Sequence, residues 1–406
     1  MTAAPRIATL DILRGVAVMG ILAMNIVSFA DVPAAYLTPL AQTADLRTGD
    51  LVTYAVNFLV FDGKMRGLFS MLFGASLGLL AARMELRLVK RRLGWLLLFG
   101  AAHFFLIWYG DILIGYALIG FLALAMRDLS VRGLIGWAIG LLTIQLAMMS
   151  ATAAWAFSLQ AQLAATPTPD LVAQWQAMTR DTGVPDAAHR AKVIALYLGP
   201  WSGIVLHQVT EKFAMPLVLT FAYGPETLAY MLLGLAGLKS GLLTGAWEDR
   251  RYRRWALICL AIGLPLSLVC LRLLFSSDFA VPAIFLFSFA LPVVFRPLMV
   301  IAYACLIILV ARSSGALAQR IAAAGRAAFS NYLGTSVLMT FLFYGWGLGL
   351  FASLGRIELA GVVVATAALM LLWSKPWLDR YRYGPAEWLW RSLTFARPQP
   401  MRRIAN

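Results

Sequence analysis

The stretch LDILRGVAVMGILAMNIVSF, residues 10–29, sets the fold class. At 1.5 Å per residue, twenty mostly apolar residues cross a hydrocarbon layer of about 30 Å as one helix. Its discordant residue is Arg14. A guanidinium inside lipid costs about 3 kcal/mol, so such residues turn toward a bundle interior or a watery cavity and are functional candidates. A simpler reading competes with this one. Asp11 lies three residues earlier on the same helix face, so the two could form a local ion pair while Arg14 extends toward the headgroups.

Comparable apolar runs recur along all 406 residues. With 61% hydrophobic and 13% charged residues and a mean hydropathy of +0.78, the chain reads as an all-α, polytopic membrane helix bundle of about ten spans. The spans expected are 8–29, 65–83, 93–109, 111–127, 132–157, 213–242, 254–275, 282–311, 328–350 and 358–374. Gly224 and Pro225 interrupt the sixth, which could begin only there. The net charge of +15 falls in short Arg clusters between spans, at 83–92, 127–132, 248–254, 312–326 and after Lys375. That pattern is membrane topology and not a nucleic-acid patch, and the positive-inside rule puts the clusters and both termini in the cytoplasm. Cys259, Cys270 and Cys305 lie in apolar runs without metal-ligand spacing, so no metal or disulfide framework is expected. The N-terminal residues run into the first span without a small-residue cleavage site, and the span reads as a retained helix rather than a signal peptide.

The chain divides into an N-terminal helical part (1–158), a polar and amphipathic segment (159–212), a second helical part (213–374) and a basic tail (375–406). The polar segment reads as an external cap or a set of interfacial helices. Residues 48–62 are apolar but short of a span, which suggests a half-helix before the second span. GPETL at 224 and GPAEWL at 384 both have the form of a helix start, with Pro in the first position and Glu in the first turn.

Several ionisable residues fall within the spans. His103 lies about 15 Å inside the third, near mid-membrane, and suits proton handling; a structural hydrogen bond to a neighbouring helix is the alternative. Arg296 sits deep in the eighth span between Pro292 and Pro297, where freed carbonyls could share its interior. A second set gathers toward the external helix ends: Asn25, Lys64, Arg66, Trp108, Asp111 and Glu226. Lys64 and Arg66 stand at a helix start, where basic residues oppose the helix dipole and imply an anionic partner, either Asp111 or Glu226 or a substrate. Trp108 and Tyr109 fit an interfacial aromatic belt.

LDILRGVAVMGILAMNIVSF, DGKMRGLFSMLFGAS, RRLGWLLLFGAAHFFLIWYGDILIGYALIG and GPAEWLWRSLTF together resemble the YeiB family, bacterial inner-membrane proteins carrying a domain of unknown function. The likeness covers nearly the whole chain. The opening motif is also similar to heparan-alpha-glucosaminide N-acetyltransferase and the wider transmembrane acyltransferase superfamily. That resemblance implies a multi-pass bundle that takes an acyl group from cytoplasmic acyl-CoA or acetyl-CoA and passes it to an acceptor on the far side. The lysosomal enzyme carries its catalytic histidine in the loop after the first span; the corresponding loop here has none, so His103 does not inherit the role by position.

On this reading Arg14 and Arg296 hold the donor, His103 is the base or a transient acyl carrier, and Asn25, Lys64, Arg66, Asp111 and Glu226 shape the acceptor site, with Asp111 grouped with His103 in the chemistry. The expected partners are the lipid bilayer and small-molecule donor and acceptor, with a homo-oligomer left open and no nucleic acid. A secondary transporter of a small anionic or lipid-like solute would also place buried Arg and His beside broken helices. A non-catalytic scaffold would need only structural polar pairs.

Overall fold

The computed structural model describes residues 8–312 and 315–403. The reading of residues 1–7 as the lead into a retained helix, and those of linker residues 313–314 and tail residues 404–406, lie outside them. Every stretch expected to span contains a helix, though the ninth ends at Phe343, with turns where 344–350 were expected to continue it: α1 (Ala8–Ala30), α2 (Lys64–Ala81), α3 (Leu86–Leu106), α4 (Leu113–Ala125), α5 (Val131–Ala165), α6 (Met215–Lys239), α7 (Asp249–Ser276), α8 (Pro292–Ala311), α9 (Ala328–Phe343) and α10 (Arg356–Arg380). The protein is an all-α, multi-pass membrane bundle.

Among the described residues six helices are long and apolar enough to cross a membrane, or seven if the bent pair Ala187–Tyr197 and Trp201–Thr210 forms one span. The other four expected spans are α2, α3, α4 and α9. The first two are long enough, at 18 and 21 residues, but begin with basic residues. The last two are only 13 and 16 residues long. Thirteen residues reach about 20 Å, less than the hydrocarbon thickness.

Lipid supplies little hydrophobic drive for helices to associate, so close backbone approach at small residues has to contribute. The α2–α6 seam is built this way. A Cβ on Gly74 would sit 2.0 Å from the Met231 carbonyl oxygen, and one on Gly234 would sit 1.8 Å from that of Met71. The same device joins α1 to the helix Ala316–Arg326, where a Cβ on Gly325 would meet the Asp11 carbonyl oxygen at 1.8 Å. These contacts fix α1, α2 and α6, the helices that carry Arg14, Arg66 and Glu226.

The basic clusters gather at one end of the bundle. Arg312, after α8, pairs with Asp249 at the start of α7 and donates to the carbonyls of Gly245 and Trp247. Trp390, on the amphipathic helix Pro385–Phe395, donates to the Arg92 carbonyl at 2.9 Å. Lys239, at the end of α6, donates to the Leu129 carbonyl before α5 at 2.7 Å. This is the end that the positive-inside rule assigns to the cytoplasm.

At the opposite end Trp201 donates to the Leu106 carbonyl at 2.8 Å, and the Gly345 amide donates to the Tyr197 carbonyl at 2.9 Å. The bent pair of short helices therefore covers the ends of α3 and α9. Trp108 does not join an aromatic belt. It is 2% exposed and stacked on Phe29 with centroids 3.8 Å apart, because the chain leaving α3 turns inward beneath those helices.

Candidate functional site

Two departures from regular α-helix shape the far half of the bundle. Residues 48–62 form the helix Thr48–Val56 followed by a π-helical turn, Asn57–Phe61. A second π-helical turn, Phe285–Ala290, precedes α8, so the eighth span is broken before Arg296 and its main helix starts at Pro292. Such turns widen the helix and misalign its carbonyls, and they recur at functional sites. Here the Ser288 carbonyl accepts a bond from Arg296 Nη2 at 3.2 Å. Between the first π turn and α2 lies Gly63, with φ +67°. That left-handed conformation suits glycine, and a Cβ there would lie 2.1 Å from Arg296 Nε. The glycine thus leaves room for the guanidinium.

Arg296 and Arg66 converge on Glu226. Arg66 Nη2 reaches Glu226 Oε2 at 2.6 Å, and Arg296 Nη1 reaches Oε1 at 2.7 Å. The Glu226 side chain is 2% exposed, so a carboxylate from α6 sits between guanidiniums from α2 and α8, with one net positive charge. Arg66 also lies over the Tyr223 ring at 5.2 Å. Of the two anionic partners foreseen for Arg66, Glu226 is the one it meets. Arg296 joins this outer group and does not accompany Arg14.

Glu226 owes its position to a break repaired from a neighbouring helix. Pro225 does not start a helix, as the GPETL motif suggested; α6 runs through it from Met215 to Lys239. Proline lacks an N–H and crowds the preceding turn, which in lipid calls for substitute partners. Gln145 on α5 supplies them, donating from Nε2 to the Ala222 carbonyl at 2.9 Å and accepting the Glu226 amide at Oε1 at 3.2 Å. These are the two groups that would otherwise bond each other along the helix. Gln145→Leu is expected to lower stability by about 1–3 kcal/mol, the cost of burying unpaired polar groups. Thermal unfolding in detergent would check this, and an unchanged midpoint would show that the helix can close on itself. The GPAEWL motif does start a helix, Pro385–Phe395, but Glu387 caps the neighbouring α9, accepting the Phe329 and Ser330 amides at 2.7 and 3.1 Å.

The outer group faces a cavity of about 310 Å³, lined by Asn25, Asp62, Arg66, Asp111, Glu226 and Arg296 among aromatic and apolar side chains. Asp62 accepts the Tyr36 hydroxyl at 3.0 Å. Lys64 does not line the cavity. It is 3% exposed, donates to the Phe58 carbonyl and lies 5.3 Å from the Phe58 ring centroid, bracing the π turn.

His103 and Asp111 form a buried pair across the α3–α4 turn, with Nδ1 2.9 Å from Oδ1. The other carboxylate oxygen accepts the Ile114 amide at 2.9 Å, which anchors the start of α4. An ionised Asp111 holds the proton on Nδ1 and leaves Nε2 as the basic nitrogen. Nε2 makes no hydrogen bond among the described residues. The Tyr332 ring packs on the imidazole with centroids 5.1 Å apart.

A second cavity, of about 610 Å³, opens at the basic end. Arg14, Arg83, Arg92, Arg326, Arg382 and Arg391 line it against only Asp11 and Glu387, and its apolar wall includes Phe69, Phe73 and Tyr332. The Asp11–Arg14 pair does form, at 3.1 Å, while Arg14 Nη2 also reaches Ser76 on α2 at 2.6 Å. Arg14 thus faces the cavity rather than lipid headgroups. The helix Pro385–Phe395 closes one side of the cavity, with Trp390 under the Arg92 guanidinium at 3.6 Å. Burial pushes the Glu387 carboxyl above its ordinary range against the opposing effect of its hydrogen bonds.

Sequence reading passed over Gly63, Tyr116 and Gln145. Gln145 carried a usable signal, a lone amide in an apolar run; the others needed the fold.

A model described as "Protein of unknown function (DUF418)" matches residues 238–397. Over 97% of each chain, the sequence is 34% identical to "Uncharacterized protein YeiB" of Escherichia coli (strain K12). It is 29% identical to "Uncharacterized protein YxaH" of Bacillus subtilis (strain 168), over 98% of this chain and 96% of that one. No solved structure matches. The likeness runs nearly the whole length of both chains, and the chain belongs to the YeiB family of uncharacterised proteins.

Proposed function

We propose that the protein is a membrane-embedded acyltransferase of the bacterial inner membrane, taking an acyl group from cytoplasmic acyl-CoA and delivering it to an acceptor at the extracytoplasmic side. The observation that carries this reading is the pairing of two cavities of opposite character around a His–Asp pair. The inner cavity, with six arginines against two acids and an aromatic wall, suits a phosphate-bearing donor with an apolar tail. The outer one balances Arg66, Arg296 and Arg356 against Asp62, Asp111 and Glu226, and suits a small polar acceptor. Asp111 lines the outer cavity and Tyr332 the inner; His103 lines neither, but it bonds Asp111 and packs on the Tyr332 ring, between the two.

In this scheme the acceptor's hydroxyl or amine gives its proton to His103 Nε2 as its oxygen or nitrogen bonds to the thioester carbonyl carbon. The carbon–sulfur bond then breaks, and the CoA sulfur takes the proton from the imidazolium. Asp111 orients the ring and stabilises the imidazolium. The Arg66–Glu226–Arg296 group supplies fixed positive charge toward the acceptor side.

Purified protein is expected to bind labelled acyl-CoA saturably and, with an acceptor pool from the envelope, to transfer the label. His103→Ala should lower transfer about 10²–10⁴-fold while leaving donor binding intact. Full transfer by that variant would remove His103 from the mechanism. Absence of acyl-CoA binding, together with solute flux in proteoliposomes, would replace the enzyme by a transporter.

A further inference from the structure

Among the described residues, Tyr116 alone lines both cavities. It lies on α4, five residues beyond Asp111, and is 3% exposed. Its hydroxyl is 2.6 Å from Ser70 Oγ, which lies 2.8 Å from the Arg66 carbonyl oxygen; with one proton on each hydroxyl, Tyr116 donates to Ser70 and Ser70 donates to the carbonyl. The ring packs against Phe69 and Phe73 of the inner wall, with centroids at 5.9 and 5.3 Å. One aromatic ring thus stands between an arginine-rich chamber and a charge-balanced one, tied by its polar tip to the turn of α2 that presents Arg66.

We infer that Tyr116 is the partition between the two cavities, held shut by the hydroxyl contact with Ser70, and that a group moving from the inner chamber to the outer one passes where this ring now stands. The passage of an acyl group rests on the function proposed above; the partition itself does not. The geometry favours a movable seal over a fixed wall. Tyr116 follows Gly115, which lines the outer cavity, and a hydrogen bond to Ser70 on one turn of one helix holds the phenol tip. Rotation of the ring breaks the contact of its hydroxyl with Ser70 and its packing on Phe69 and Phe73.

Accessibility tests the partition without any substrate. In full-length protein with Cys259, Cys270 and Cys305 replaced by alanine, single reporters are placed as Thr220→Cys in the outer cavity and Leu80→Cys in the inner one. A charged, membrane-impermeant thiosulfonate is applied from each side of oriented vesicles. With Tyr116 present, the Leu80→Cys reporter should react from the basic side and the Thr220→Cys reporter only from the other. Adding Tyr116→Ala should raise basic-side labelling at Thr220→Cys at least tenfold, while labelling at Leu80→Cys stays unchanged.

Basic-side labelling at Thr220→Cys in the parent, or no rise with Tyr116→Ala while Leu80→Cys still reacts normally, would overturn the inference. If the alanine variant fails to fold, Ser70→Ala keeps the ring and removes its tether; it should raise labelling several-fold, and no rise would equally overturn the latch. A protein that shows the expected labelling but no acyl transfer would keep its partition and lose the acyltransferase reading.

Discussion

Glu226→Ala is expected to destabilise the protein by about 3–5 kcal/mol, the range for breaking a buried ion pair by removing one partner. The carboxylate is 2% exposed and accepts from two guanidiniums at 2.6 and 2.7 Å. Removing it leaves Arg66 and Arg296 facing each other across the gap, with Arg296 6% exposed in its side chain and confined by Gly63. Two like charges then share a site of low dielectric. Thermal unfolding in detergent, followed by loss of monodisperse protein, would measure the effect. Combining Glu226→Ala with Arg296→Met should recover part of the loss, since one charge is removed and the apolar volume roughly kept. Equal melting temperatures for Glu226→Ala and the parent would mean that water in the outer cavity already solvates both arginines.

Gly234→Val should be comparably damaging, at about 3 kcal/mol, the upper end of the cost of over-packing. The atom met at 1.8 Å is the Met71 backbone oxygen, which cannot rotate away as a side chain would. The helices α2 and α6 would have to separate, carrying Arg66 and Glu226 apart, so the substitution reaches the site from a distance. Gly140→Val, on α5, is the matched control, because a Cβ there meets nothing within 4 Å. Similar folded yields for the two valine variants would show that the α2–α6 seam can be re-spaced.

The helical stretches were legible because spanning segments must satisfy their backbone internally and be apolar over a set length, and both demands are written locally. Their ends were less so: α5 and α10 run on past the apolar windows, and α6 continues through Pro225 because Gln145, distant in sequence, bridges the broken turn. Candidate site residues were visible as charges in apolar context, but their grouping was not. Arg296 was read with Arg14 by depth, yet it bonds Glu226, while Lys64 turns behind the cavity to brace a π turn.

The sequence by itself determined that this chain is a multi-pass helical protein, that its basic loops share one end, and that His103, Asp111, Arg66, Glu226 and Arg296 deserve scrutiny. Hydropathy and charge suffice there, since each residue answers to the bilayer more than to any partner. Only the tertiary structure decided which charge meets which, that two cavities exist, and that Tyr116 stands between them. Those facts depend on how helices approach at Gly74, Gly234 and Gly325, and on contacts between segments far apart in the chain, such as Arg66 with Glu226, 160 residues away, and Arg92 with Trp390, 298 residues away.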